Sequence, residues 1–408
     1  MEVKPGYRKT DVGVIPEDWV VSKFGTCATF KTGPFGSALH QSDYVDGGVP
    51  VINPMQIVGG KIQPTPSMAI TEQAARKLSE FRLSAGNVII GRRGEMGRCA
   101  FVRAEEHGWL CGTGSMIIRT GPSLDARFIQ RVLSSPPIIA EIENASVGST
   151  MINLNQGTLG NLLVPLPSTK AEQEVIAETL SDADALIESL EQLLTKKRQL
   201  KQGGMQELLT GKKRLPGFSG KWEVKEFGEV ALLRRERIDP RRTGPKEFCI
   251  ELEHIEQGTG CLVGNTATSE DSSLKSVFYK DDVLFGKLRA YLRKYWLASQ
   301  EGVCSTEIWV LVAKQSLLIP QFLFQLVKAD RFIEGASSAY GTHMPRSDWN
   351  VVKSFEVMLP SLPEQTAIAT ILSDMDAEIA ALEAKLAKAR QIKQGMMQEL
   401  LTGRIRLV

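Results

Sequence analysis

A chain of 408 residues, 42% hydrophobic and 24% charged, is long enough for two or three domains with real cores and has the make-up of an ordinary soluble globular protein. Its 49 Lys and Arg against 47 Asp and Glu leave a formal net charge of +2, which excludes a nucleic-acid binder driven by a strongly basic tail but leaves room for a local basic groove. The first residues, MEVKPGYRKTDVGVIPEDW, contain no apolar h-region, and no stretch approaches the roughly eighteen apolar residues of a membrane span, so a cytoplasmic location is expected.

Residues 1–165 predict a first globular region. Its clearest strand is NVIIG at 87–91, followed by the basic turn Arg92-Arg93-Gly94-Glu95-Met96-Gly97-Arg98 and a second strand within 99–103. An apolar run at 116–119 precedes GPSLDARFIQRVLSS, whose apolar spacing predicts a helix. Pro165 and Pro167 then stop a strand, and Thr169-Lys170-Ala171-Glu172 supplies a capping box for a long helix. That helix is expected to run to Leu209, with Gly211 as its C-cap and a length of about 60 Å. The Gly203-Gly204 pair predicts a kink or break before its last segment, MQELLTG.

The helix occurs twice. Residues 173–215 and 365–407 align without a gap and match at 27 of 43 positions, which is an internal duplication. In the first copy Ile176, Leu180, Ala183, Ile187, Leu190 and Leu194 follow the a/d rhythm of a coiled coil, and Ile368, Leu372, Met375, Ile379, Leu382, Leu386 and Ala389 repeat it. Each seam needs a cover. The other copy is the nearest candidate, and a surface helix lying on its own domain is the alternative, which would show a broader stripe. Gly395 stands where Gly203-Gly204 stood, and Thr402-Gly403 closes the second copy.

Between the copies, residues 213–358 echo the first globule. Trp19 to Gly25 answers Trp222 to Gly228, NVIIG answers DVLFG at 282–286, and Gly148-Ser149-Thr150-Met151 answers Gly341-Thr342-His343-Met344. The expected fold is therefore α+β: two mixed α/β globules, 1–165 and 213–358, separated by two long antiparallel coiled-coil helices, 166–212 and 359–408, as a pseudo-two-fold internal repeat. Antiparallel helices would bring both chain ends to one place.

Catalytic motifs are missing. Gly204 to Lys212 has six residues between its glycines and Lys213 where a phosphate-binding loop needs Ser or Thr. Gly112-Thr113-Gly114 lacks the third glycine of a dinucleotide fingerprint. Asn53-Pro54-Met55-Gln56 begins like the Asn-Pro-Pro-aromatic motif of adenine methyltransferases but lacks the second proline and the aromatic. The six cysteines form no C-x-x-C and the four histidines are scattered, so no metal site or disulfide framework is expected and the thiols are expected to be buried and free.

What the globules do offer is cations in matching places. Arg92, Arg93 and Arg98 share one turn, and Lys287, Arg289, Arg293 and Lys294 occupy the corresponding stretch, interleaved with Tyr291, Tyr295 and Trp296. Such a mixture suits phosphates and base edges. Asn153, Asn155 and Gln156 could read adenine. Lys31, Thr150, His343 and Arg346 complete the candidate DNA contacts, each with a solvated surface side chain as the alternative.

Taken together, the helix motifs LSDxDAxI at 180–187 and 372–379 and QELLTG at 206–211 and 398–403 are similar to those of the DNA-specificity subunits of type I restriction-modification systems. So are Leu359-Pro360-Ser361-Leu362-Pro363-Glu364-Gln365, IPEDW at 15–19, GRRGEMGR at 91–98, ELEHIE at 251–256 and YGTHMPRSDWN at 340–350. The resemblance covers essentially the whole chain. It implies a non-catalytic subunit whose two target-recognition domains read a bipartite, asymmetric DNA target. It also implies two adenine-methylating modification subunits that carry S-adenosylmethionine, joined by restriction (endonuclease and translocase) subunits, with no cofactor or metal in this chain. Met205, Leu208, Leu209, Met397, Leu400 and Leu401, near the helix ends, become candidates for the modification-subunit contact, with packing on the adjacent globule as the alternative. A coiled-coil protein-interaction scaffold without DNA readout and an enzyme in its own right are the rival functions.

Overall fold

The computed structural model describes residues 4–35, 38–145, 153–269, 273–337 and 345–407. The chain divides into two compact units, Met1–Ser189 with Leu386–Val408, and Leu190–Lys385. The two long helices, α1 (Lys170–Leu208) and α2 (Leu362–Leu400), each pass from one unit to the other midway. Their apolar seams complete the globular cores.

In the first unit a four-stranded antiparallel sheet has the order Cys99–Phe101, Val88–Gly91, Ser115–Thr120, Ala28–Thr32. Strand alternation sends Val88, Ile90, Met116 and Ile118 into one core with Trp19, Phe24 and Phe128, while Ile89, Ala100 and Ile117 enter a second core with Ile52 and Leu83. The sheet is therefore buried on both faces, which is why these strands are almost continuously apolar. The expected helix forms over Ala126–Leu133, N-capped by Asp125, whose carboxylate accepts from the Arg127 and Phe128 amides at 2.9 Å each.

The first turns of α1 bury Ile176, Ala177 and Leu180 in the larger core, and Leu400 and Leu401 from the end of α2 enter the same core. Asp184 of α1 is held by Lys393 of α2 at 2.5 Å and by Arg131 at 2.6 Å, and Glu172 by Arg406. Residue numbers rise on one helix as they fall on the other, so the halves run antiparallel here. Both chain ends meet in this unit: the Tyr7 hydroxyl donates to the Gly403 carbonyl at 3.1 Å, and Arg406 spans Asp18 at 2.9 and 3.0 Å.

The second unit repeats the plan in one continuous stretch. Its sheet has the order Tyr295–Leu297, Val283–Gly286, Ile308–Ala313, Ala231–Leu233. Trp222, Phe227, Phe285 and Phe322 pack with Leu208 and Leu209 from α1 and Ile368, Ala369 and Leu372 from α2. Asp376 receives both Lys201 and Lys328, and Arg214 forks onto Glu364 at 2.7 and 2.8 Å. The repeat offset carries Lys201, Arg214, Glu364 and Asp376 onto Lys393, Arg406, Glu172 and Asp184, so the ion pairs are duplicated along with the sequence. Every seam position named above is buried or half-buried.

Three local expectations change. Both helices continue unbroken through Gly203-Gly204 and Gly395. Burial of Leu208, Leu209, Leu400 and Leu401 just beyond the glycines offsets a propensity cost of about 1 kcal/mol per glycine. The Thr169 hydroxyl does accept from the Glu172 amide at 3.2 Å, but the Glu172 carboxylate pairs with Arg406 instead of closing a capping box. Gly211 and Gly403 both have φ +68°, the left-handed C-cap that the sequence predicts. Of the free thiols, Cys99, Cys111, Cys249 and Cys304 are buried, with Cys99 pushed up to about 12 by desolvation, whereas Cys27 is half-buried and Cys261 is exposed. Among the described residues no group of His, Cys, Asp and Glu could hold a metal ion, and no helix is long and apolar enough to cross a membrane.

Candidate nucleic-acid interface

At one edge of the first unit's central sheet, several turns are tied into one surface. The 112–114 loop is the hub. The Gly114 amide donates to the Asn53 Oδ1 at 3.1 Å, and the Arg92 amide donates to the Gly114 carbonyl at 2.8 Å. The Leu154 amide donates to the Arg92 carbonyl at 2.9 Å, while the Arg92 Nε donates to the Leu154 carbonyl at 2.9 Å. A Cβ on Gly112 would lie 2.3 Å from Asn53 Oδ1, so only glycine admits this approach. The next strand edge joins through Gln156, whose amide donates to the Thr32 hydroxyl at 3.0 Å.

This geometry sorts the candidate contacts. Arg92 is 9% exposed, and burial pulls its pKa below the usual guanidinium range; it is a strut that fixes residues 153–156. Arg93 is exposed and has no partner among the described residues, and Asn153, next to the Leu154 that Arg92 holds, is exposed. Arg98 is taken by Glu95 at 2.6 Å. Lys31 is taken by Glu80 at 2.6 Å, over the Phe81 ring. Asn155 N-caps the helix Gln156–Asn161 by accepting from the Thr158 amide at 2.8 Å. Thr150 and His343 lie outside the described residues.

The second unit builds the same surface from different side chains. The Lys287 amide donates to the Glu307 carbonyl at 3.0 Å and the Ser347 amide to the Lys287 carbonyl at 2.8 Å, in the places of Arg92, Gly114 and Leu154. Asp348 caps the helix Trp349–Val352 where Asn155 capped its counterpart. Arg346 is held by Glu307 at 2.8 Å, which raises its pKa further. Arg293 is held by Asp330 at 2.6 Å, and the Lys294 ammonium donates to the Leu252 carbonyl at 2.6 Å. Lys287 and Arg289 keep side chains without a partner among the described residues.

Arg289 and Arg293 both adopt left-handed backbone, φ 53° and 52°, on either side of the turn Ala290–Leu292. That conformation costs a non-glycine residue roughly 1–2 kcal/mol. It is pinned by the Arg289 amide donating to the Pro345 carbonyl at 2.8 Å and by the Gly258 amide donating to the Arg293 carbonyl at 2.9 Å. The turn holds Tyr291 out, 52% exposed, between two cations, while Tyr295 and Trp296 are buried in the core.

The expected partner contacts occupy different ground. Leu208, Leu209, Leu400 and Leu401 are 3–7% exposed and belong to the cores, with Met205 and Met397 half-buried against them, so packing on the adjacent globule accounts for the leucines. The turns at 53–56 and 251–254 also form part of each surface; the second opens the ELEHIE motif, but neither holds a candidate contact, and it is the fold that makes the two equivalent.

The family described as type I restriction modification DNA specificity domain matches residues 16–201 and again residues 219–391. The type I restriction enzyme EcoDI specificity subunit of Escherichia coli is 25% identical over 305 residues, 65% of this chain and 68% of that protein. A putative type I restriction enzyme MjaX specificity subunit of Methanocaldococcus jannaschii is 24% identical over 98% of this chain and 97% of its own. In structure, the type I restriction-modification S subunit from M. genitalium has a TM-score of 0.61 at 16% identity and covers 98% of each chain, so the fold is shared. With both halves of the duplication matched and the same surface built twice, the chain belongs to the type I restriction-modification DNA specificity family, as a DNA-recognition component and not a catalytic one.

Proposed function

We propose that each unit reads one half of a bipartite, asymmetric duplex target, and that the chain recruits two modification subunits, which bring S-adenosylmethionine and methylate adenine, and the restriction subunits that join them. The observation that carries this reading is the doubled sheet-edge surface, whose hydrogen-bonded scaffolding is the same in both units while its exposed side chains differ. A common frame with unlike side chains suits two different half-sites. Helices of fixed length between the readers would set the unspecified spacer, with half-sites about 10 bp apart centre to centre. Met205 and Met397, beside the exposed Glu207 and the partly exposed Glu399, are the proposed places of modification-subunit contact. Charge reversal at Glu207 and Glu399 is expected to weaken capture in a pull-down.

The direct test maps methylated adenines in a host with and without this gene. A bipartite motif that appears only with the gene supports the reading. Adding one helical turn to both α1 and α2 is expected to lengthen the spacer and leave both half-sites unchanged; altered half-sites at constant spacing would refute the spacing role. A protein-binding scaffold without DNA readout would instead give no salt-dependent gel shift on specific duplex.

Arg289→Gly separates DNA contact from folding. Glycine relieves the left-handed backbone, so stability is expected to stay level or rise by about 1 kcal/mol. The slope of log affinity against log salt is expected to fall by about 1, as for the loss of one phosphate contact. Unchanged affinity and slope in a salt titration of the assembled complex would remove Arg289 from the interface.

A further inference from the structure

We propose that Met55 and Glu253, at the apices of equivalent turns in the two units, are specificity-determining residues that each contact a base edge in their own half-site. This rests on the DNA-recognition reading above and deepens it to single residues.

The two turns, Pro54–Gln56 and Leu252–His254, match residue by residue. Each follows a short buried strand whose parallel partner is equivalent in the two units, Leu110–Cys111 beside Val51 and Ile52, and Val303 and Cys304 beside Cys249 and Ile250. Each closes on itself: the Gln56 amide donates to the Asn53 carbonyl at 3.0 Å and the Asn53 amide to Gln56 Oε1 at 3.1 Å, as the His254 amide donates to the Glu251 carbonyl at 3.0 Å and the Glu251 amide to His254 Nδ1 at 3.0 Å. The first residue of each turn lies against the glycine that ends the central strand. A Cβ on Gly91 would come within 3.1 Å of Pro54, and one on Gly286 within 2.9 Å of Leu252. Each turn is followed by a buried isoleucine, Ile57 and Ile255.

Within this rigid frame the apex is the exposed position. Met55 is 80% exposed, and the Glu253 side chain is 83% exposed, with His254 Nε2 3.9 Å from its carboxylate. A single exposed methionine carries no message by itself. The message is the frame, which hydrogen bonds hold beside the turns of Arg93 and of Lys287 and which presents a thioether in one unit and a carboxylate in the other. Preorganised apices on fixed elements are what base discrimination requires. The chemistry of each apex names its ligand: a flexible apolar side chain suits the thymine methyl, and a carboxylate accepts from the cytosine amino group. Lys294, which donates to the Leu252 carbonyl, is a positioning residue for the second apex.

The test uses the complex of this chain with its modification subunits and sequences the methylated sites of Met55→Gln and Glu253→Gln, with Met55→Leu and Glu253→Asp as conservative controls. The first substitution is expected to change base preference about tenfold at one position of one half-site, and the second at one position of the other half-site, the size of effect a single base-edge contact supplies. Spacer and remaining positions should not move, and the controls should keep most of the wild-type preference. Unchanged preference at every position overturns the proposal, as does a uniform loss of methylation across all sites, which would make the turns structural. A wild-type complex that yields no bipartite motif would instead sink the DNA-target reading beneath it.

Discussion

Asp376→Asn is expected to destabilise the second unit by about 3–5 kcal/mol, the cost of leaving a buried charge without its partner. Lys328 is 3% exposed and its ammonium lies over the Phe324 ring, 4.8 Å from the centroid, so Asp376, whose own side chain is 28% exposed, is its charge partner, with Lys201 on the same carboxylate. With the carboxylate gone, two lysines face each other. For a unit of this size the melting temperature should fall by roughly 6–20 °C, and a shift under about 2 °C in a thermal scan would show that the cluster is dispensable.

The same site has a pH signature. Burial pushes Lys328 down to about 8, from its usual 10.5. Below pH 8 the ammonium is charged in both folded and unfolded states, and the desolvation cost is constant. Above pH 8 the unfolded chain holds the proton longer, so this group adds stability as pH rises, by up to roughly 3 kcal/mol as pH approaches 10.5. Tyr295, pushed up to about 12 by burial, opposes it above pH 10, because there the unfolded chain sheds its proton first. Buried Cys249 and Cys304, whose thiols burial also pushes up, oppose it from about pH 9, so the climb is expected between pH 8 and 9 in the natural protein, and Lys328→Met should flatten it.

The second large effect concerns the chain ends. Arg406→Ala should cost about 3–5 kcal/mol in the first unit, because Glu172, 1% exposed, then loses its counter-charge. The same guanidinium bonds to Asp18 and holds that carboxyl below its usual range. The equivalent Arg214→Ala is expected to cost less. Glu364 would keep the Trp222 indole N–H at 3.2 Å, whereas the Trp19 indole N–H has no partner among the described residues. Hydrogen exchange at residues 401–407 would read the difference; equal protection in Arg406→Ala and the natural protein would show that the clasp contributes nothing.

Much of this was legible in the residues, for a physical reason. A duplicated heptad pattern needs a partner, and the only way to satisfy every seam position and preserve the sequence repeat is to repeat the contacts, which is why Asp184 and Asp376 find equivalent lysines. Strands such as NVIIG and DVLFG are apolar on both faces and so announce a central sheet. The candidate surface was legible only by region. Arg92 and Arg93 are adjacent and alike in sequence, yet one is a buried strut and the other is exposed, because the bend after the strand ties Arg92 to Leu154 and leaves Arg93 outside. The leucines of QELLTG looked spare because their cover comes from distant strands. The turns at Met55 and Glu253 share almost no residues, and only tertiary hydrogen bonds reveal them as the same element.

The division of the chain between units also sets an order of events at the ribosome. The second unit is one continuous stretch and can close as soon as Lys385 has emerged. The first globule is synthesised earlier, yet Ile176, Ala177 and Leu180 lack their α2 cover until Leu400 and Leu401 leave the exit tunnel. The domain made first therefore matures last, with an apolar stripe open to chaperones for roughly the second half of translation.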